Sequence, residues 1–576
     1  MQIYRGMGVS EGVAIGKVLK IHSAFMNYPR TQLDNADAVP GEVSRIQLAQ
    51  KKTEEQLAQI SDQSSGLLDD ELAQIFSSYQ LLLKDKQFIP KVLKTIEKEQ
   101  INAEWALIRV IAGLEEKFSL MDNPYIKARI DDIRQLGEKL MANLLKKPML
   151  DLSRLSDPVI IICHDISPTD AFHLNKDNIL GIATELGGET SHSSILARAM
   201  NIPAVVGVHD ITQRLTDDQV CILDGVSGEV ISQPSKETID EKLNKKEKLN
   251  YYQKQLYKLI DQPCRLHDGT MVDLAANLDF LEELTQIKEY KIASIGLVRT
   301  EFLFLLEEKF PTEEEQFQIF SRIIQESGCN PVTLRTWDIG ADKTTSLIAE
   351  LLEEANPALG FRGIRTCLEH EQILRPQIRA LLRASELALV KVMIPMVTRI
   401  DEVTRVVDII AEESESLKLS NTKFEVGCML ETPAAMLIID DLLDHCDFIS
   451  IGTNDLIQYT LAVDRMNEHV SRLFDPFHPA ILKSLEHVVQ TSNRRSKPVS
   501  ICGELASNPI MQMFLLGTGQ ITFSMSPNQI LKTKRVLSKV DQISCKKIAF
   551  QFINKHSSDE SNWLAQKLYQ EYVEEV

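Results

Sequence analysis

The stretch EVGCMLETPAAMLIIDDLLDHCDFISI, residues 425–451, holds two short apolar runs, 425–430 and 448–451, on either side of a helical stretch. Apolar runs of this length, set between helical patterns, read as strands in a repeating βα unit. The alternation continues in both directions. Residues 271–275, 332–337 and 390–396 are candidate strands before it, and 499–501 follows it. Such a series, running from about residue 264 to the end, fits a (β/α)8 TIM-type barrel, whose active site lies at the C-terminal ends of the strands. On pattern alone an open, doubly wound sheet is the alternative.

Upstream the pattern changes twice. Residues 1–25 read as short strands punctuated by Gly6, Gly8, Gly12 and Gly16. From about residue 42 to residue 145 long amphipathic helices take over, including 43–63, 70–83 and 102–118, with apolar positions at i, i+3/i+4 and i+7. Strand signals return at 158–163, 179–184, 204–208 and 220–223, interleaved with helices. These form a small α/β unit whose sheet the first 25 residues can complete. The charged helical stretch 237–259 connects this half to the barrel. The fold class is therefore multidomain α/β with a helical-bundle insert.

Length and composition narrow the function. The 576 residues are too many for one ordinary core. A net charge of -19 argues against a general nucleic-acid binder and suits docking onto a basic protein partner. No stretch approaches the ~18 apolar residues that would span a bilayer, so no membrane insertion is expected. The N-terminus has no signal-peptide apolar core. Nine cysteines are scattered without a CxxC pair, which points to free thiols and a cytoplasmic location.

Four constellations carry chemistry. The first is GGETSHSS, residues 187–194, after a strand and at the opening of a helix. Paired glycines allow close backbone approach to a ligand, and a helix start favours anions, so His192 there can carry a phosphoryl group. A glycine turn with a capping serine and an incidental histidine is the plain alternative. The second is a set of arginines just after strands: Arg299, Arg335, Arg362, Arg365 and Arg465. The guanidinium fork suits phosphate and carboxylate; any one of these arginines can simply pair with a nearby Asp or Glu, but the set predicts a local basic pocket for a doubly anionic substrate. The third is Glu431 with Asp455, two carboxylates just after strands, a usual Mg²⁺ arrangement, with salt bridges or helix caps as the plain alternative. The fourth is Cys502, where a strand-end thiol can donate or accept a proton or simply fill space.

Eight blocks in order carry a resemblance: GGETSHSSILARAMNIPAVVG, GLVRTEFLF, PTEEEQF, LRTWDIGADK, NPALGFRGIR, ETPAAM, SIGTNDLIQYTLAVDR and CGELA. Along its whole length the chain resembles Enzyme I of the bacterial phosphoenolpyruvate-dependent phosphotransferase system. The resemblance implies a phosphohistidine domain over 1–25 and 147–232, a helical phosphocarrier-binding insert over 26–146, a helical linker over 233–262 and a phosphoenolpyruvate-binding, dimerising barrel over 263–576. It implies that His192 is phosphorylated and then passes the group to a histidine-containing phosphocarrier protein. Arg299, Arg335, Arg465 and Asn454 would hold the substrate phosphate, and Arg362 would position the substrate. Lys343 would lie nearby, Glu431 and Asp455 would bind Mg²⁺, and Cys502 would protonate the enolate carbon to give pyruvate. The pattern GGxTSH is shared with ATP-driven dikinases, but the chain has no spare length for their ATP domain.

Some positions depart from the family. Glu189 stands where an arginine is frequent, and Ala171 where a threonine commonly steadies the imidazole. Ser77 and Tyr79 replace a glutamate and a histidine on the expected carrier face. A non-enzymatic sensor of phosphoenolpyruvate on the same scaffold is the alternative function.

Overall fold

The computed structural model describes residues 1–21, 25, 28–33, 35–64, 83, 88–119, 124–146, 157–166, 178–188, 193–194, 197, 202–281, 283–301, 303, 310–340, 356–419, 423–465, 467 and 469–573. The chain divides into two units, Met1–Tyr251 and Tyr252–Val576. The expected site residues His192 and Lys343 lie outside the described residues. So do Glu189, Ala171, Ser77 and Tyr79, and all but Leu83 of the expected helix over 70–83.

The first unit is built on an eight-stranded sheet. Its strands are β1 (Gln2–Arg5), β2 (Met7–Ser10), β3 (Val13–Ile21), β4 (Val159–Cys163), β5 (Ile179–Thr184), β6 (Ala204–Val206), β7 (Val220–Asp224) and β8 (Glu229–Ser232). They lie in the order β1-β8-β7-β3-β4-β5-β6-β2. The first three strands thus join strands that come after the helices. From β3 to β6 the neighbours run parallel, and the flanking pairs are antiparallel. Strand β4 is an unbroken apolar run because both of its faces are covered. Ile160 and Ile162 enter one buried cluster, while Ile161 and Cys163 enter another.

The helices Val39–Ser64, Ile89–Glu99, Ala103–Ser119 and Pro124–Leu144 pack around a core of their own that includes Ile46, Leu57, Ile96, Leu107, Leu136 and Leu140. A further helix, Lys236–Tyr257, is fixed to the sheet by charge. Lys242 and Lys245 donate to the fully buried carboxylate of Asp224, at 2.6 and 2.7 Å.

The second unit is a closed barrel of parallel strands. They are β9 (Leu274–Leu278), β10 (Ile295–Arg299), β11 (Val332–Arg335), β12 (Val390–Ile394), β13 (Phe424–Leu430), β14 (Phe448–Ile451), β15 (Val499–Ile501) and β16 (Thr522–Met525). Closure between β16 and β9 excludes the open doubly wound sheet. Alternation along each strand separates inside from outside. Cys428 and Leu430 of β13 and Ile449 and Ile451 of β14 pack in the large outer core, whereas Leu297, Met393, Met429, Phe448 and Cys502 form a small cluster within the ring.

One strand is displaced from its expected place. β9 starts at Leu274 rather than residue 271 because Met271 is spent on an antiparallel bridge to Arg265 around the Gly269 turn. β16 was not among the expected strands. Its four residues, TFSM, give too short and too polar a run to stand out.

Candidate active site

Register brings the first arginines together. Arg299 and Arg335 are the last residues of β10 and β11 and are direct Cα partners across the parallel pair. Both therefore stand at the C-terminal rim. Arg335 is buried and donates through Nη2 to Glu301; its Nη1 lies 3.1 Å from Asp338 Oδ2. Burial opposes its charge, but the carboxylates of Glu301 and Asp338 outweigh that and hold the guanidinium firmly protonated. Arg299, half-buried, pairs with Asp279 at 3.1 Å.

Arg362 arrives from the loop before the helix Ile364–Glu369 and is only 1 % exposed. Two carboxylates grip its guanidinium on different edges. Nε donates to Asp338 Oδ1 at 3.1 Å and Nη2 to Asp338 Oδ2 at 3.3 Å. On the other edge Nη1 and Nη2 donate to the two oxygens of Asp455 at 2.9 and 2.8 Å. Tyr459 Oη accepts a further bond at 3.3 Å. Arg365 faces elsewhere and donates to the backbone carbonyls of Leu359 and Gly360.

Asp455 stands in the first turn of the helix Thr453–Leu461, where the helix start favours a negative charge. Glu431 follows β13 directly and is buried. Its Oε1 accepts the Met396 N–H at 2.6 Å. Its Oε2 faces Gly452, where a Cβ would come within 2.8 Å of it. Burial, with the nearby charges of Asp455 and Asp338, pushes the Glu431 carboxyl well above the usual carboxylate range. Among the described residues no group of three or more His, Cys, Asp or Glu side chains is arranged to hold a metal.

Cys502 follows β15 and is buried. Ser450 Oγ donates to its sulfur at 3.3 Å, and the thiol reaches the Ile451 carbonyl at 3.5 Å. Burial raises the thiol pKa, against the opposing pull of the Arg335 and Arg299 charges. Asn454 and Glu504 bond to each other across the β14 and β15 loops, side chain to side chain at 3.1 Å. Arg465 is anchored by its backbone N–H to Gln458 Oε1 at 3.2 Å. The rim therefore gathers Arg299, Arg335, Arg362, Glu431, Asp455 and Cys502 into one electrostatically coupled set, within a chain of strong net negative charge.

Comparison with known proteins matches three family models in sequence: PEP-utilising enzyme, N-terminal, over residues 5–129; PEP-utilising enzyme, mobile domain, over 155–228; and PEP-utilising enzyme, PEP-binding domain, over 253–542. The phosphoenolpyruvate-protein phosphotransferase of Listeria monocytogenes is 36% identical over 98% of this chain and 98% of its own length. The chain belongs to the phosphoenolpyruvate-protein phosphotransferase family. Similar proteins of the same name come from Geobacillus stearothermophilus, at 38% identity over 93% of each chain, and Priestia megaterium, at 39% over 93% of this chain and 94% of that one.

Within this Enzyme I chain, sequence reasoning found the cations and missed their anions. Asp279, Glu301 and Asp338 pair with Arg299, Arg335 and Arg362, yet none was singled out. Their signal was faint but present, since Asp338 lies three residues beyond Arg335 in LRTWDIG and Glu301 two beyond Arg299 in VRTE. Ser450, which contacts the Cys502 thiol, was also missed. As an inward polar residue in an apolar strand it breaks the run FISI. No helix among the described residues is long and apolar enough to cross a membrane.

Proposed function

We propose that this chain takes the phosphoryl group of phosphoenolpyruvate onto His192, releases pyruvate, and passes the group to a histidine on a phosphocarrier protein. The observation that carries this reading is the array of buried, doubly paired arginines at one rim of the barrel. Desolvated guanidinium groups held by fixed carboxylates are preorganised for a multiply charged anion, and phosphoryl transfer depends chiefly on such positioning and charge stabilisation.

Arg299 and Arg335, side by side on adjacent strand ends, hold the phosphate together with Asn454 and Arg465. Arg362 orients the substrate, and the family resemblance assigns Lys343, outside the described residues, to the same task. His192 Nε2 attacks as the neutral imidazole. Loss of the phosphoryl group leaves an enolate carbon, and the Cys502 thiol donates the proton that turns it into pyruvate. Burial suits Cys502 to that role, since a raised pKa keeps the proton on sulfur through neutral pH.

Glu431 and Asp455 would hold Mg²⁺. Their fit rests on hard oxygen donors, on the glycine cradle at Gly452 beside Glu431 Oε2, and on the like charges that push the Glu431 proton affinity up. When bound, the ion supplies charge neutralisation for the phosphate and the departing enolate. The helical segment 26–146 docks the phosphocarrier, the barrel forms a homodimer, and the chain works in the cytoplasm. Because His192 belongs to the first unit and the arginines to the second, the phosphohistidine segment visits the barrel rim and then turns to the carrier.

The test is incubation with labelled phosphoenolpyruvate and Mg²⁺. Pyruvate is released and acid-labile label stays on the wild-type chain, while His192→Ala gives neither. Binding of phosphoenolpyruvate without pyruvate release would instead make the chain a sensor and end the enzyme reading.

A further inference from the structure

Asp338 touches both of the most buried arginines and has no place in the chemistry set out above. It is 0 % exposed and lies three residues beyond the end of β11. Its Oδ1 accepts from Arg362 Nε at 3.1 Å, and its Oδ2 accepts from Arg362 Nη2 at 3.3 Å and lies 3.1 Å from Arg335 Nη1. Glu301 pairs with Arg335, and Asp455 with Arg362. Asp338 is shared by two guanidinium groups, those of Arg335 and Arg362.

The backbone makes the same connection. The Gly363 N–H donates to the Ile339 carbonyl at 3.1 Å. Gly340, at φ +124°, leaves no room for a Cβ, which would stand 2.3 Å from the Phe361 carbonyl oxygen and 2.9 Å from Arg362 Cα. Gly363, at φ +59°, turns the chain so that Arg362 meets Asp338. Residues 338–340 and 361–363 are thus interlocked. Beneath them Gln377 accepts the Trp337 N–H at 3.0 Å and donates to Thr300 Oγ1 at 3.1 Å, and Thr300 Oγ1 donates to the Arg335 carbonyl at 2.8 Å. A guanidinium held on two edges by carboxylate oxygens has its plane fixed as well as its charge balanced.

We propose that Asp338 is a positioning residue that sets the spacing and orientation of Arg335 and Arg362 before phosphoenolpyruvate arrives. This rests on the reading that these arginines hold that substrate. In this role Asp338 acts through the two arginines. Without it the two guanidinium groups must be ordered by the substrate, and the ordering free energy is then subtracted from binding.

The test is steady-state kinetics with phosphoenolpyruvate and Mg²⁺ on the wild type, Asp338→Asn, Arg362→Lys and the double variant, with melting temperatures recorded. Asp338→Asn is expected to raise KM for phosphoenolpyruvate about tenfold or more, since a small misplacement of a clamp can cost up to about a hundredfold. In the Arg362→Lys background the same change is expected to add less than about threefold, because the two residues act as one unit. A merely structural aspartate would lower the active fraction, and hence kcat, without moving KM. A KM rise below about threefold, or effects that multiply fully in the double variant, overturns the proposal. If Asp338→Asn does not fold, Asp338→Glu keeps the charge and shifts it by one methylene; a wild-type KM there also overturns it. Labelling of the wild-type chain in the same assay separates the two failures. If label is absent, the functional reading falls and takes this inference with it; if label is present with unchanged variant KM, only the inference falls.

Discussion

Cys502 receives a hydrogen bond from Ser450 and packs beside Leu297, Met393, Met429 and Phe448, so its thiol lies in a largely apolar layer under the arginines. Burial favours the neutral form and raises the pKa, so the thiol is protonated below that raised value and loses its proton only in alkaline solution. The Cys502 contribution to pyruvate formation is therefore expected to stay constant across neutral pH and to fall on the alkaline side. Cys502→Ala should slow it by about a hundredfold or more, the usual scale for a lost general acid. A pH–rate profile of both proteins checks this. At this scale the cations were legible in sequence because arginine after a strand is conspicuous. Asp279, Glu301 and Asp338 were not, since a carboxylate near an arginine in sequence becomes its partner only through strand register and loop closure. His192 is assigned from its motif, GGETSH, and from family resemblance, and itself lies outside the described residues.

Strands and their loops decide what the rim can hold. The alternation that read as βα units gave the barrel, and the residues at the ends of β10, β11, β13 and β15 fell where that alternation predicts. β9 was misplaced by three residues because a turn at Gly269 competes for Met271, and β16 was invisible because four residues carry little periodicity. Another element, the helix Lys236–Tyr257, shows charge adding to apolar packing, since its Ile239 and Leu249 rest on Val13, Ile222 and Ile231. Among its residues whose burial is described, Leu256 alone is fully buried, yet Lys242 and Lys245 fasten it to Asp224 at the end of β7. Burial raises the Asp224 pKa, but the two ammonium groups outweigh it and hold the carboxyl well below the ordinary range. A depressed folded-state pKa gives stability that is present above the unfolded value of about 3.9 and lost as pH falls below it. Asp224→Ala is expected to destabilise the first unit by about 3 kcal/mol, because it strands the lysines and the Val226 and Ser227 N–H groups. Urea denaturation followed by circular dichroism measures this, and an unchanged midpoint would refute the clamp.

At the scale of the whole chain, two units with separate cores divide the work. One includes His192 and the helices packed on their own core, the other the barrel with its arginine rim, and the two meet in sequence at Tyr251 and Tyr252, inside the charged stretch 237–259. The net charge of -19 makes the chain as a whole attractive to a basic carrier, while the arginine rim is a local exception sheltered by burial. Salt therefore acts unequally on the two half-reactions. Raising ionic strength from about 0.05 to about 0.5 M shortens the screening length severalfold and is expected to slow transfer to the carrier severalfold, with a smaller effect on self-labelling. Stopped-time labelling with and without a phosphocarrier resolves the two steps. The most direct measurement of the central claim, that this rim loads a histidine on the other unit, is phosphopeptide mapping under alkaline conditions after incubation with phosphoenolpyruvate and Mg²⁺. One phosphoryl group on the peptide containing His192, reduced by loss of Arg335 or Arg362, is the predicted result. A phosphoryl group on any other residue, or full labelling of His192 without those arginines, would contradict it.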